Sequence, residues 1–106
     1  MTANASSSED NVVRVLKEML DLDQIDILTY YKGLVAVASR YAKAGEMLAS
    51  LATVAAVPPE FYLNDQVRLM EEDPNYAIIV TELAEKINKY ILQGGELKIN
   101  MSNAEA

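Results

Sequence analysis

The stretch from Ile25 to Val57 constrains the chain most, because its apolar residues repeat every seven positions. Ile27, Leu34, Tyr41, Leu48 and Ala55 form one row. Tyr30, Val37, Ala44 and Leu51 form a second, three residues behind the first. This a/d pattern over about four heptads predicts a helix lying against a helical partner. Two further rows, Tyr31-Ala38-Gly45-Ala52 and Leu28-Val35-Ala42-Ala49-Ala56, widen the apolar arc. An arc that wide calls for more than one neighbour.

Polar residues keep to what remains of the circumference: Lys32, Ser39, Arg40, Lys43, Glu46, Ser50 and Thr53. A helix from Ile25 to Val57 would run roughly 50 Å at about 1.5 Å per residue. Gly33 and Gly45 each weaken it by about 1 kcal/mol relative to alanine. A bend or break is expected near Lys43-Ala44-Gly45. Small residues (Ala38, Ala42, Ala44, Gly45, Ala49, Ala52, Ala55, Ala56) crowd the second half and allow close helix contact. Lys32, Arg40, Lys43 and Glu46 interrupt every window of about 20 residues that a membrane span needs, so a buried soluble helix is expected.

The other helices follow from punctuation. Ser8 is the expected N-cap of a first helix running to Leu20 or Asp21, with Val12, Val13, Leu16, Met19 and Leu20 as its stripe. Val13, Leu16 and Leu20 share the heptad phase of the central stretch, and Asp23 interrupts it. A turn is placed at Asp21-Leu22-Asp23, with Asp23 capping the next helix and Asp26 in its first turn. Pro58-Pro59 ends the central helix and opens a shorter one to Met70, burying Phe61, Tyr62, Val67 and Met70. Glu71-Glu72-Asp73 reads as an acidic loop, and Asp73-Pro74 as cap and first residue of a last helix. That helix reaches Gln93, with Tyr76, Ile79, Val80, Leu83, Ile87, Tyr90 and Ile91 inward and Glu82–Lys86 and Glu85–Lys89 as surface pairs. Gly94-Gly95 stops it, and Glu96–Met101 alternates like a strand or a pairing arm.

The expectation is an all-α helical bundle of about four helices built on one long central helix, with a short extended C-terminal tail. Residues 1–8 form a flexible tail, 9–94 the helical domain and 95–106 the extended tail. A chain of 106 residues that is 51% hydrophobic supports one folded domain.

Composition narrows the chemistry. Without Cys or His there are no disulfides, thiolate nucleophiles, imidazole bases or usual zinc ligands. A net charge of −7 argues against direct binding to nucleic acid phosphates. Asp21, Asp23 and Asp26 fail as a calcium loop, because Asp26 and Lys32 stand where glycine and glutamate are needed. Glu71-Glu72-Asp73 reads as a solvated loop. No phosphate loop, nucleophile elbow or paired carboxylate site is present, so no cofactor, metal or enzymatic role is expected.

The functional expectation is a small acidic protein–protein interaction module. It would be a self-associating structural or adaptor subunit of a larger assembly, cytoplasmic or part of a virus particle. At the level of fold alone, proline-separated helices with polar tails resemble small subunits of phage particles and secretion machines, and their chaperones. The interface residues expected are Tyr30, Leu34, Val37, Tyr41, Leu48 and Leu51 on the long helix, with Leu97 and Ile99 in the tail. The alternative is an acidic inhibitor, antitoxin-like or chaperone protein that covers a basic or apolar site on a partner.

Overall fold

The computed structural model describes residues 5–93. The tail carrying Leu97 and Ile99 lies outside the described residues. Among the described residues all regular structure is helical, in six helices rather than about four. They are α1 (Ala5–Asp21), α2 (Ile27–Lys43), α3 (Met47–Ala55), α4 (Pro59–Asn64), α5 (Gln66–Glu72) and α6 (Pro74–Leu92).

Helix α1 begins at Ala5, ahead of the expected cap Ser8, since nothing in this run breaks a helix. It ends in a Schellman motif. The Asp23 N–H donates to the Leu20 carbonyl at 3.0 Å and the Gln24 N–H to Met19 at 2.8 Å. The motif needs a left-handed residue one past the cap, and Asp23 supplies it at φ 61°. Asp23 is therefore spent on closing α1. The cap of α2 falls to Asp26, whose extended backbone lets its carboxylate accept from the Thr29 N–H at 2.8 Å.

The expected central rod is two helices. Helix α2 stops at Lys43 in a second Schellman motif, in which Glu46 N–H donates to Tyr41 and Gly45 N–H to Ala42. Here Gly45 takes the left-handed position at φ 83°. The chain reverses and α3 folds back on α2. Small residues make this possible: Ala38 and Ser50 are fully buried, and Ala42 nearly so. Helix axes approach closely only where the side chains between them are short. The Ser50 hydroxyl donates to the Ala38 carbonyl at 2.7 Å, which satisfies that buried polar atom. Ser39, assigned by sequence to the polar arc, is buried as well, and Leu48 on α3 faces solvent.

Gly45→Ala tests this break. Its Cβ would meet nothing within 4 Å, so the cost is backbone strain alone. About 1–2 kcal/mol is expected, seen as a thermal midpoint lower by roughly 5–15 °C in a circular dichroism melt. An unchanged midpoint would contradict the left-handed assignment.

The helix expected over Pro59–Met70 is interrupted at Asp65, whose φ of −119° departs from helical geometry. The interruption rotates the second half. Leu69 becomes the buried residue, and Val67, expected inside, is exposed. Glu71 and Glu72 are the last turn of α5 rather than a loop. Helix α6 starts as its sequence dictates: the Asp73 carboxylate accepts from the Asn75 and Tyr76 N–H groups at 3.1 and 3.3 Å, and Pro74 is the first residue.

Helix α2 is the hub, packing against α1, α3 and α6, while α5 lies on α6 and α4 adjoins α5. The core joins Leu34, Val35, Ala38 and Ala42 of α2 to Val57, Phe61, Leu69, Tyr76 and Leu83. The molecule measures 52 × 38 × 21 Å. Its least dimension is about two helix diameters, so each helix has one side on the core and another toward solvent.

Candidate functional site

The structure scatters the expected interface residues. Leu34, Val37 and Tyr41 are buried inside their own chain. In the single chain α1, α3 and α6 supply the neighbours that the wide apolar arc demanded. Tyr30 and Leu51 are half-buried, and Leu48 is 72% exposed. Leu97 and Ile99 lie outside the described residues.

Among the described residues, half of the exposed large apolar residues lie off the sequence stripes. The other half, Val12, Ile27, Leu48, Val67 and Ile91, were placed on them, Val12, Val67 and Ile91 as inward residues that the structure turns to solvent. Leu63 is 81% exposed and Leu92 82%, and Leu22, Val67, Ile78 and Ile91 are also exposed. The sequence held a signal for some of them. Leu63 and Ile78 are large apolar residues that fit no buried stripe, and such leftovers mark surface apolar area. On α1, Val12 and Val15 are exposed and line a shallow hollow of about 250 Å³ with Asn11 and Leu16.

A second hollow, of about 140 Å³, opens where α2, α3, α4 and α6 meet. Val35, Val54, Tyr62, Val80, Leu83 and Ile87 line it, and Gln66 supplies a polar edge. That volume is below the roughly 300 Å³ of an ordinary small-molecule pocket. It fits one large apolar side chain.

Three of the six tyrosines have their hydroxyls bonded within the chain. Tyr41 OH donates to Asp10 at 2.5 Å, Tyr62 OH to the Val54 carbonyl at 2.7 Å and Tyr76 OH to Gln66 Oε1 at 2.7 Å. Burial pushes the Tyr62 phenol up to about 12 and raises that of Tyr76, to which neighbouring Tyr62 adds. Tyr31 meets Phe61 edge-on at 5.3 Å, and Phe61 meets Tyr62 at 5.7 Å. These rings tie α2 to α4.

The acids are spent on bases and backbone. Asp21 pairs with Lys17 at 3.0 Å and Asp65 with Arg68 at 2.9 Å. Glu82, expected to pair with Lys86, instead reaches Lys43 of α2 at 3.1 Å. Asp73 combines its capping role with a 3.1 Å bond from Lys32, whose ammonium lies 5.2 Å from the centre of the Tyr76 ring. Among the described residues no three acidic side chains gather as a metal-holding group.

Asp73 gives a pH prediction. The Lys32 hydrogen bond, followed by the Tyr76 N–H, holds its carboxyl below the ordinary 3.8. A depressed folded pKa contributes stability that is present above the unfolded value and lost as pH falls through the folded one. The loss therefore belongs below about pH 4. Asp73→Asn keeps a capping side chain but removes the ion pair. Its midpoint should be lower at pH 7 and should fall less than that of the parent between about pH 4 and pH 2. Parallel acid slopes in thermal melts would refute the assignment.

No helix among the described residues is long and apolar enough to cross a membrane. No family model matches this chain, and no curated protein or solved structure matches it significantly.

Proposed function

We propose that this protein is a helical assembly subunit or adaptor that acts by protein–protein contact, first of all with copies of itself. The observation that carries this reading is the balance of apolar side chains. Among the described residues ten large ones stand exposed, against eleven hydrophobic residues in the core. Single exposed apolar residues are ordinary. A surface nearly as well supplied as the core is what an interface leaves behind when its partner is missing. Each such side chain is worth about 1.5–3 kcal/mol on full burial, so covering a few offsets the entropy of association.

Two further features support binding rather than catalysis. His and Cys are absent, and the tyrosine hydroxyls described above are held by structural bonds. The net charge of −7 opposes contact with phosphate backbones. The acidic-inhibitor reading has less behind it, because caps and ion pairs already engage many of the acids.

Light scattering at micromolar concentration should report a dimer or larger species, with little response to salt. Leu63→Glu and Leu48→Glu should reduce its mass while leaving the unfolding free energy within about 0.5 kcal/mol of the parent. A sharp monomer for the parent protein would refute the proposal. Assembly that dissolves steeply with salt would move the case to charge-driven binding.

A further inference from the structure

We infer that two copies pair by exchanging α1, so that each copy's first helix lies on the other's α2. The inference rests on the self-association proposed above and concerns the α1–α2 seam alone; Leu48 and Leu63, on α3 and α4, lie outside that seam and stay available for contact between paired copies. Four observations carry it.

The first is the register of the α1–α2 hairpin. Glu9 Oε1 lies 3.8 Å from Arg40 Nη1, Tyr41 bonds Asp10, and Leu16 packs on Gly33. Each of these pairs is centred on Ile25 to within one residue, so the helices run antiparallel about that point. An antiparallel hairpin opened at its turn and paired with a second copy restores every one of these contacts between chains, about a two-fold axis at Ile25.

The second observation is phase. Val13, Leu16 and Leu20 continue, without a slip, the heptad positions of Ile27, Tyr30, Leu34 and Val37. Val13 and Val37, Leu16 and Leu34, and Leu20 and Tyr30 are each centred on Ile25. A closed hairpin has no need of phase continuity across its turn, whereas a straight helix over residues 5–43 does. Straightening adds one more layer on each side of the axis, Asp23 of one copy against Ile27 of the other. Ile27 is 45% exposed in the closed form.

The third is the turn itself. No residue between Asp21 and Ile27 is glycine or proline, so the segment is able to continue a helix. It stays closed through Asp23 at φ 61°, a conformation that side chains other than glycine, asparagine and aspartate rarely tolerate. Gly45 fills the equivalent position at the end of α2 without strain. Only the first of the two turns is held by a residue that gains from straightening. The fourth is that α1 packs chiefly on α2, so leaving it detaches the helix from little else.

Asp23 sets the balance, because it tolerates the closed turn yet puts a carboxylate in the exchanged seam. Asp23→Leu should raise the dimer fraction at least tenfold, and Asp23→Gly should lower it, by light scattering across a concentration series.

The decisive experiment uses the absence of cysteine. A Cβ on Gly33 would stand 2.7 Å from Leu16 Cδ1 and 3.5 Å from its Cγ, within reach of a disulfide once Leu16 is shortened. The variant Leu16→Cys/Gly33→Cys is oxidised at the assembly concentration, blocked, denatured and run without reductant. Exchange gives covalent dimers. A dimer in solution whose disulfides all lie within one chain overturns exchange and leaves self-association standing. A monomer at every concentration overturns both. If the cysteine pair disturbs folding, an Asp23 series that leaves the dimer fraction unchanged overturns the inference by itself.

Discussion

Replacing Phe61 by alanine is expected to remove about 3–5 kcal/mol of stability. A domain of this size holds roughly 5–15 kcal/mol in total, so the variant should melt tens of degrees lower or be unfolded at 25 °C. Phe61 is 2% exposed. Its ring stands between those of Tyr31 and Tyr62, at 5.3 and 5.7 Å. Truncation therefore removes transfer free energy and leaves a cavity between α2 and α4, and the two tyrosines are not free to collapse into it. Tyr62 is anchored by its bond to Val54, and Tyr31 sits on α2, which three other helices hold in place. Site-specific cost depends on how far neighbours relax, which places Phe61 toward the upper end of the range. Leu63, two residues on and 81% exposed, is the control. Leu63→Ala should change stability by no more than about 0.5 kcal/mol. Urea unfolding of the pair measures both, and equal midpoints would contradict the packing described here.

Leu34→Ala is the second large effect and separates two readings of the heptad pattern. As an interface residue, Leu34 would loosen assembly when truncated and leave the monomer intact. The structure puts it at 4% exposure, inside the core cluster. Truncation should cost about 2–5 kcal/mol in chemical unfolding. Leu48, two heptads on and 72% exposed, should do the reverse: Leu48→Ala leaves stability within about 0.5 kcal/mol and weakens self-association. A stable Leu34→Ala variant with impaired assembly would restore the sequence-based assignment. The contrast is sharp because a single repeat pattern links the two positions and a single turn parts them.

That turn explains what was and was not legible. Gly45 was visible as a weak point, and the small residues Ala38 and Ala42 were visible as a close-contact surface. Their consequence was not. Periodicity reports that a face is apolar and says nothing of whether the partner is another chain or the next segment of the same one. Once Gly45 takes its left-handed conformation, α3 becomes the partner, and Leu34, Val37 and Tyr41 are covered from within. Ser39 and Ser50 mislead for the same reason. A hydroxyl reads as surface until a carbonyl such as that of Ala38 stands 2.7 Å away. The acid caps divided similarly. Asp73 before Pro74 was unambiguous, but Asp23 and Asp26 compete for one role, and only the φ of 61° at Asp23 assigns it to the end of α1.

The sequence by itself determined the helical class, the opening of the last helix at Asp73-Pro74, the stop at Pro58-Pro59 and the weak point at Gly45. Each of these is local, set by backbone propensity and capping within a turn or two of the chain. Tertiary structure alone decided which apolar residues became core and which became surface. Burial depends on where a segment sits after the chain reverses, and a turn such as Gly45 or Asp65 redirects every side chain that follows it.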